Sequence, residues 1–282
     1  MRQSSMTIAD GGTVSYTDVG PPDGVPIVYC HGAPGSRLDV VWLEDAFAEA
    51  GVRVVSLDRP GMGRSSPSPG RTIADWPRQV ESVADHLGLD RFAVMGLSSG
   101  GPYVVACAAL CPDRVVAAAV VAGVTDMCWS AAFDDFLDDE QTIMRIGDEA
   151  DAHAWCVEHY GADGARFFDG HMDLSPPDAR VMEDELILSG LLPTFGEAFV
   201  QGVAGYAQDI TVQAQGWNFD VGAIRCPVGV FHGEQDTIVP ISHGRHTADV
   251  IAGAELTTFP EHGHISMITE VPAIAAGLAS AN

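Results

Sequence analysis

The sequence contains no lysine, and its 14 basic residues are all arginine. Against them stand 39 aspartates and glutamates, which gives a formal net charge of −25 at pH 7. Because so negative a surface repels phosphate backbones and anionic lipid, we expect neither a nucleic acid nor a membrane as a partner. Solubility, a salty habitat or genomic composition each explain such an imbalance, so it predicts no particular activity.

Long apolar runs and cysteines are also scarce. No uninterrupted apolar run reaches the roughly 18 residues of a membrane-spanning helix, and residues 1–6 lack the apolar stretch of a secretory signal. The six cysteines show no pairing pattern and indicate reduced thiols. We therefore expect a cytoplasmic protein, with enough hydrophobic residues for one large domain or for a core with an insertion.

Strand-like and helix-like segments alternate along most of the chain, after an opening hairpin over 7–17. Such alternation is typical of a parallel sheet with helices on both faces. Strands are predicted at 26–30, 52–57, 92–95, 115–122, 226–231 and 256–259, and helices near 41–50, 73–87, 99–110 and 265–279.

The composition changes between residues 124 and 215. This segment holds 19 acidic residues against three arginines, a net of −16 out of −25. It is also rich in helix formers, which predicts a helical insertion with an acidic outer surface and an apolar underside. We divide the chain into a core over 1–123 and 217–282 and a cap over 124–216. The aromatic residues of the cap include Trp129, Phe133, Phe136, Trp155, Phe167 and Phe168.

The segment 92–102 is the most informative part of the chain. It is a short apolar run, then Gly96-Leu97-Ser98-Ser99-Gly100, then the small residues of a helix start. That order predicts a strand, a sharp turn and a helix, with Ser98 at the apex. The glycines tolerate the strained backbone and the close approach of helix and strand. A lone Gly-x-Ser-x-Gly is common by chance, but this context makes Ser98 the candidate nucleophile.

A serine hydroxyl needs a base to take its proton and a third group to orient that base. In this topology the partners follow in the order carboxylate, histidine. Asp236 lies in the loop after the strand at 226–231, and His264 lies in the loop after the next strand. Parallel strands bring both loops and the Ser98 turn to one sheet edge. We therefore predict Ser98, Asp236 and His264 as the catalytic residues.

Rival residues lie close to these positions. Glu234 and Asp126 are alternative acids, in the same loop and just after the strand at 115–122. His262 is an alternative base, and we prefer His264 because it follows a glycine and precedes an apolar helix.

A serine nucleophile also needs donors for the developing oxyanion. His31-Gly32-Ala33-Pro34-Gly35 follows an early central strand. We predict that the backbone N–H groups of Ala33 and Ser99 form this site, where two fixed donors contribute a few kcal/mol.

Two pairs of side chains at helical spacing offer a rival interpretation as metal ligands. His243 and His246 lie at i, i+3, and Cys156 and His159 have the same spacing. No acidic cluster accompanies the histidine pair, so we interpret it as an exposed helix face and predict no metal site.

Five motifs together resemble those of the α/β-hydrolase superfamily, over residues 7–124 and 217–278. The resemblance implies an eight-stranded, mostly parallel sheet with helices on both faces, a helical cap, no metal and no organic cofactor. The motifs lie at 31–35 (oxyanion), 58–65 (the loop after the following strand), 96–100 (nucleophile elbow), 233–240 (acid) and 263–264 (base).

Within that superfamily the resemblance is less specific. A serine nucleophile disfavours the aspartate-dependent epoxide hydrolases and dehalogenases, and prolyl aminopeptidases typically differ at Ala33 and Ser99. Cofactor-free perhydrolases resemble the core but have smaller caps. Carbon–carbon hydrolases use cationic cap residues, a role open to Arg145, Arg166 and Arg180, although the acidic cap argues against anion recruitment.

We expect a serine hydrolase that cleaves a small-to-medium, uncharged carboxylic ester through an acyl-enzyme. The alternatives are a carbon–carbon bond hydrolase, a lyase or a perhydrolase on the same scaffold, or a ligand-binding sensor with vestigial turnover. The expected partner is a small-molecule substrate, and a homodimer stays open.

Overall fold

A computed structural model describes residues 1–134, 136–169 and 174–280. Within these residues the strands are β1 (Arg2–Thr7), β2 (Thr13–Val19), β3 (Val25–Cys30), β4 (Val52–Leu57), β5 (Phe92–Leu97), β6 (Val115–Val121), β7 (Val228–Gly233) and β8 (Glu255–Phe259). They form one sheet in the order β1-β2-β4-β3-β5-β6-β7-β8. β1 pairs antiparallel with β2 and β2 with β4, and the later pairs are parallel. The predicted eight-stranded, mostly parallel sheet is therefore confirmed.

Helices cover both faces of this sheet. In the described part of the chain they are α1 (Glu44–Glu49), α2 (Trp76–His86), α3 (Gly101–Leu110), α4 (Asp138–Ile146), α5 (Glu149–Tyr160), α6 (Pro176–Glu183), α7 (Glu185–Ala198), α8 (Ala204–Ala214), α9 (Ile241–Val250) and α10 (Val271–Ser280). α2, α3 and α9 pack on one face, and α1 and α10 pack on the other.

The central strands contribute side chains to a hydrophobic core on each face of the sheet, because successive side chains of a strand point to opposite faces. Val28 and Cys30 of β3 join the core under α2 and α3. Ile27 and Tyr29 join the core under α1 and α10. With both faces covered, β3, β5 and β6 are apolar along their length, which explains the near-continuous apolar runs in the sequence.

α4 to α8 follow one another between β6 and β7, and we call them the inserted helices. Their apolar side chains form a third cluster that includes Met62, Val124 and Val239 from loops at the carboxyl ends of strands. The inserted helices therefore pack over the sheet edge to which the functional loops belong. Whether they form a separate unit with boundaries at 124 and 216 stays a prediction.

A buried ionic cluster joins α8 to the loop after β4. The Asp209 carboxylate accepts two hydrogen bonds from Arg59, at 3.0 and 2.9 Å, and one from Arg71 at 2.7 Å. The Tyr103 hydroxyl donates to the same carboxylate at 2.7 Å. Asp209 and Arg59 are fully buried.

The local expectations agree with the structure apart from the first strand and the helix starts. The opening hairpin pairs β1 with β2, but β1 begins at Arg2, before the predicted 7–17; the other predicted strands are present, with ends shifted by at most two residues. The predicted helices at 41–50, 73–87, 99–110 and 265–279 each begin with a tighter 3₁₀ turn. Among the described residues, no helix has both the length and the apolar character needed to cross a membrane. All six cysteines are free.

Candidate active site

Ser98 lies at the turn between β5 and α3. Its φ angle is 56°, in the left-handed region that a non-glycine residue rarely adopts. Gly100 packs so closely that a Cβ there would overlap the carbonyl oxygen of Cys30. The glycine therefore lets the turn sit against β3, and the strained turn presents Ser98 to the pocket described below.

His264 and Asp236 meet at the same sheet edge, in the loops after β8 and β7. The Nδ1 atom of His264 lies 2.8 Å from Oδ2 of Asp236. The other oxygen of Asp236 accepts the N–H groups of Ile238 and Val239, at 2.9 and 2.8 Å. His232 lies 3.3 Å from Oδ2. The carboxylate is thus held in place and orients the imidazole ring.

The electrostatics of this pair favour a charged contact. Burial alone would raise the pKa of Asp236, but the neighbouring His264 and hydrogen bonds from His232 and His264 bring it well below its usual range. Burial alone would lower the pKa of His264, but the charge and hydrogen bond of Asp236, with smaller contributions from Asp178 and Glu140, raise it above the ordinary 6.5. The arrangement stabilises an imidazolium, which a general base becomes when it takes a proton.

The rival residues lie elsewhere. Glu234 is exposed and accepts a hydrogen bond from Thr258 at 2.7 Å. Asp126 accepts the N–H groups of Cys128 and Trp217. His262 lies 3.5 Å from Glu270. The structure therefore brings His264 to Asp236.

The loop after β3 is fixed by buried charges. Asp39 accepts the N–H groups of Gly32 and Ser36, at 3.1 and 3.3 Å, and the hydroxyl of Thr194. Arg59 donates to the carbonyl oxygens of His31 and Gly32. Burial raises the pKa of Asp39 to about 6, against the lowering effect of these hydrogen bonds. The loop that carries Ala33 is thus held rigidly beside the Ser98 turn.

Four of the five predicted site residues line one pocket, namely Ala33, Ser98, Ser99 and His264, and Asp236 lies behind His264. Its walls are mainly apolar, and the inserted helices with the segments that connect them to β6 and to one another supply nearly half of the lining residues. Phe136, Phe167 and Phe168 line it, whereas the other three aromatic residues named from the sequence do not. The lining residues are Gly32, Ala33, Pro34, Asp39, Leu97, Ser98, Ser99, Val124, Phe136, Leu137, Glu140, Phe167, Phe168, Leu191, Thr194, Phe195, Ile238, Val239, His264, Ile265 and Ile268.

Glu140 of α4 is a pocket residue that the sequence did not reveal. Its carboxyl group lies 3.2 Å from the Tyr206 hydroxyl, which donates to it. Burial raises its pKa to about 7, partly offset by the Tyr206 hydrogen bond. It follows two other acids, Asp138 and Asp139, so spacing alone gave no sign of which one faces the pocket.

The three arginines between residues 124 and 215 do not line the pocket. Arg145 stacks on the ring of Phe133, 5.2 Å from its centroid. Arg166 donates to a backbone carbonyl of α5. Arg180 lines a separate surface groove. Among the described lining residues, none is cationic apart from His264 when it is protonated.

The interpretation of His243 as part of an exposed face is wrong. It is fully buried, and both ring nitrogens have partners there: Nε2 donates to the carbonyl of Ala132 and Nδ1 accepts the N–H of Thr125. His246 is half-buried and lies 2.9 Å from the Thr125 hydroxyl. Over the described ranges, no group of three or more His, Cys, Asp or Glu side chains could hold a metal ion.

Comparison with known proteins places the chain in a family. A family model described as alpha/beta hydrolase fold matches residues 25–271. A non-heme chloroperoxidase of Streptomyces lividans is 29% identical over 279 residues, and the bifunctional esterase/perhydrolase DCH of Acinetobacter calcoaceticus is 27% identical over 282; each match covers 95% of both chains. A solved alpha/beta hydrolase fold protein from Nakamurella multipartita has a TM-score of 0.72 at 26% identity, covering 99% of both chains. The chain therefore belongs to the alpha/beta hydrolase fold family.

Proposed function

We propose that the protein is a serine hydrolase that cleaves small-to-medium, uncharged carboxylic esters through an acyl-enzyme. The observation that carries the proposal is the 2.8 Å contact between Asp236 and His264, where His264 lines the same pocket as Ser98 and Asp236 lies behind it. A nucleophile on a strained turn, a base and an oriented carboxylate are the parts that acyl transfer needs.

In the proposed mechanism, the Ser98 hydroxyl attacks the ester carbonyl while Nε2 of His264 takes its proton. Asp236 holds the ring through Nδ1 and stabilises the imidazolium. The backbone N–H groups of Ala33 and Ser99 donate to the oxyanion. His264 gives the proton to the leaving alcohol. Water then attacks the acyl carbonyl while His264 takes its proton, the bond to the Ser98 oxygen breaks, and His264 returns the proton to Ser98 as the carboxylic acid is released.

The character of the pocket supports an uncharged ester. Its described walls are mostly aliphatic and aromatic, which suits an apolar acyl or alcohol group. The Glu140 carboxyl and the acidic surface of the inserted helices oppose an anionic substrate. We further propose that the inserted helices act as a cap that determines which esters enter.

Perhydrolysis is a second candidate, favoured by the full-length similarity to an esterase/perhydrolase and to a non-heme chloroperoxidase. In that reaction hydrogen peroxide, in place of water, attacks the acyl group on Ser98 and releases a peracid. Measuring the peracid formed from an acetate ester and hydrogen peroxide separates perhydrolysis from hydrolysis. Ester hydrolysis with no peracid excludes perhydrolysis.

A series of p-nitrophenyl esters from acetate to decanoate tests the main proposal. We expect multiple turnovers in the wild type and a loss of about 10⁴-fold or more in Ser98→Ala. Ser189→Ala, an exposed serine of α7, is the matched control and retains the wild-type rate. Turnover that survives in Ser98→Ala contradicts the proposal, and a single stoichiometric burst supports the sensor. Inertness to every ester despite a reactive Ser98 supports a lyase or carbon–carbon hydrolase.

A further inference from the structure

A carboxylate of the inserted helices accepts hydrogen bonds from the backbone of His264 and of the residue two positions after it. Asp178 lies in the first turn of α6 and is fully buried. Its Oδ2 atom accepts the N–H of His264 at 2.8 Å, and its Oδ1 atom accepts the N–H of Ser266 at 2.8 Å. These contacts join segments 86 and 88 residues apart in sequence.

The two N–H groups belong to the start of the 3₁₀ helix Ile265–Glu270, for which His264 is the residue before the first turn. N–H groups at a helix start have no partner within the helix, so an outside acceptor must satisfy them when they are buried. Asp178 supplies both acceptors at once. Because both bonds are made to a carboxylate, each is stronger than a bond between neutral groups.

The contact is tightly packed where it meets Gly263. A Cβ at Gly263 would overlap both Asp178 and the hydroxyl of Ser175. The N–H of Gly263 is itself bonded to the Ser266 hydroxyl at 2.8 Å. The loop around His264 and the first turn of α6 are therefore fitted to one another.

We propose that Asp178 is a positioning residue for the base: it fixes the backbone of His264 and makes the placement of the imidazole depend on the docking of α6 against the core. The inference rests on the proposed function of His264. Asp178 touches no reacting atom: it acts on His264 through the backbone of the histidine loop and through its charge.

The charges around His264 give the proposal a distinctive readout. Asp236 contacts the ring from the loop after β7, Asp178 contacts the backbone from α6, and Glu140 faces it from α4. All three raise the pKa of His264, whereas burial lowers it. The other histidine of the loop, His262, pairs with Glu270 instead. Removing the charge at 178 therefore lowers the pKa of His264.

The test compares Asp178→Asn with Glu183→Gln, an exposed carboxylate on the same helix. We measure kcat and KM on a p-nitrophenyl ester and the rate at which a fluorophosphonate labels Ser98, each from pH 5 to 9. For Asp178→Asn we expect kcat to fall about 10- to 100-fold, the scale of a small misplacement of a catalytic group, with KM changed less than about threefold. The acid limb of its pH–rate profile should move to lower pH, and the Glu183→Gln control should match the wild type.

Unchanged kcat and an unmoved acid limb in folded Asp178→Asn overturn the proposal. A lower melting temperature with normal kcat per labelled site also overturns it, because that is the signature of a purely structural residue. If Asp178→Asn does not fold, Asp178→Glu replaces it, because it keeps the charge but shifts the carboxylate. A lowered kcat with an unmoved acid limb of the pH–rate profile then supports the proposal, and a wild-type kcat refutes it. Labelling needs no ester turnover, so a wild type that labels but cleaves no ester refutes the esterase function and leaves the test of Asp178 intact.

Discussion

Replacing Asp209 by asparagine is expected to destabilise the fold strongly. The side chain keeps its shape but loses its charge, and the two guanidinium groups of Arg59 and Arg71 then lie buried without an anion. The side chains of Arg59 and Asp209 are 0% exposed and that of Arg71 is 3% exposed. Water therefore cannot replace the lost partner.

The size of the effect follows from this burial. Removing one partner of a buried ion pair costs about 3–5 kcal/mol, because the other charge stays uncompensated. Asp209 serves two arginines and the Tyr103 hydroxyl, so we place Asp209→Asn at the upper end of that range. A typical domain is stable by only about 5–15 kcal/mol, so the loss is a large share of the total.

Urea unfolding monitored by circular dichroism measures the change. The control is Asp113→Asn, which breaks the exposed pair with Arg225, whose side chains are 88% and 69% exposed. We expect the control to cost less than about 1 kcal/mol. A double variant Asp209→Asn/Arg71→Met should be less destabilised than the two single changes added together, because it removes one of the stranded charges.

Two results would refute this reasoning. One is an Asp209→Asn variant as stable as the Asp113→Asn control. The other is strict additivity in the double variant, which would show that the two buried charges do not depend on each other.

Three further predictions follow from the site and its charges. Folding lowers the pKa of Asp209, so its contribution to the free energy of unfolding is present above its ordinary pKa of 3.8 and is lost as pH falls below that value. In urea unfolding from pH 5 to 2, the free energy of unfolding should therefore fall more steeply for the wild type than for Asp209→Asn. The acid limb of kcat/KM should lie above pH 6.5 because neutral His264 is the base, and Glu140→Gln should move it lower in a pH-rate profile. Gly100→Ala should cost about 3 kcal/mol in urea unfolding, the upper end for overpacking, because the new Cβ meets the Cys30 carbonyl, and a wild-type midpoint would contradict that geometry.

Local signals explain why much of the fold was predictable. Apolar runs ending in glycine mark strands covered on both faces, and the order of the Ser98, Asp236 and His264 loops follows from the carboxyl ends of parallel strands. Those signals lie within about ten residues of each position. The sequence pattern therefore indicated a parallel sheet and these three loops, whereas the number of strands in the sheet was an implication of the family resemblance.

The roles of residues whose contacts are made with segments distant in sequence could not be predicted. Asp178 follows Ser175 by three positions, and an acidic residue there is common in the first turn of a helix, so its local pattern does not mark it as a partner of His264. Its contact with His264 depends on how α6 docks. His243 likewise belongs to a helix that is polar in sequence, yet the carbonyl of Ala132 and the N–H of Thr125 give it buried partners.

The most direct test of the central claim is mass spectrometry of the protein after brief exposure to a fluorophosphonate. The account predicts one adduct per chain, mapped to Ser98, forming at least about 100-fold more slowly in His264→Ala because the serine has lost its base. An adduct on another serine, or labelling of Ser98 at the same rate without His264, would contradict the proposed role of the Ser98, His264 and Asp236 group.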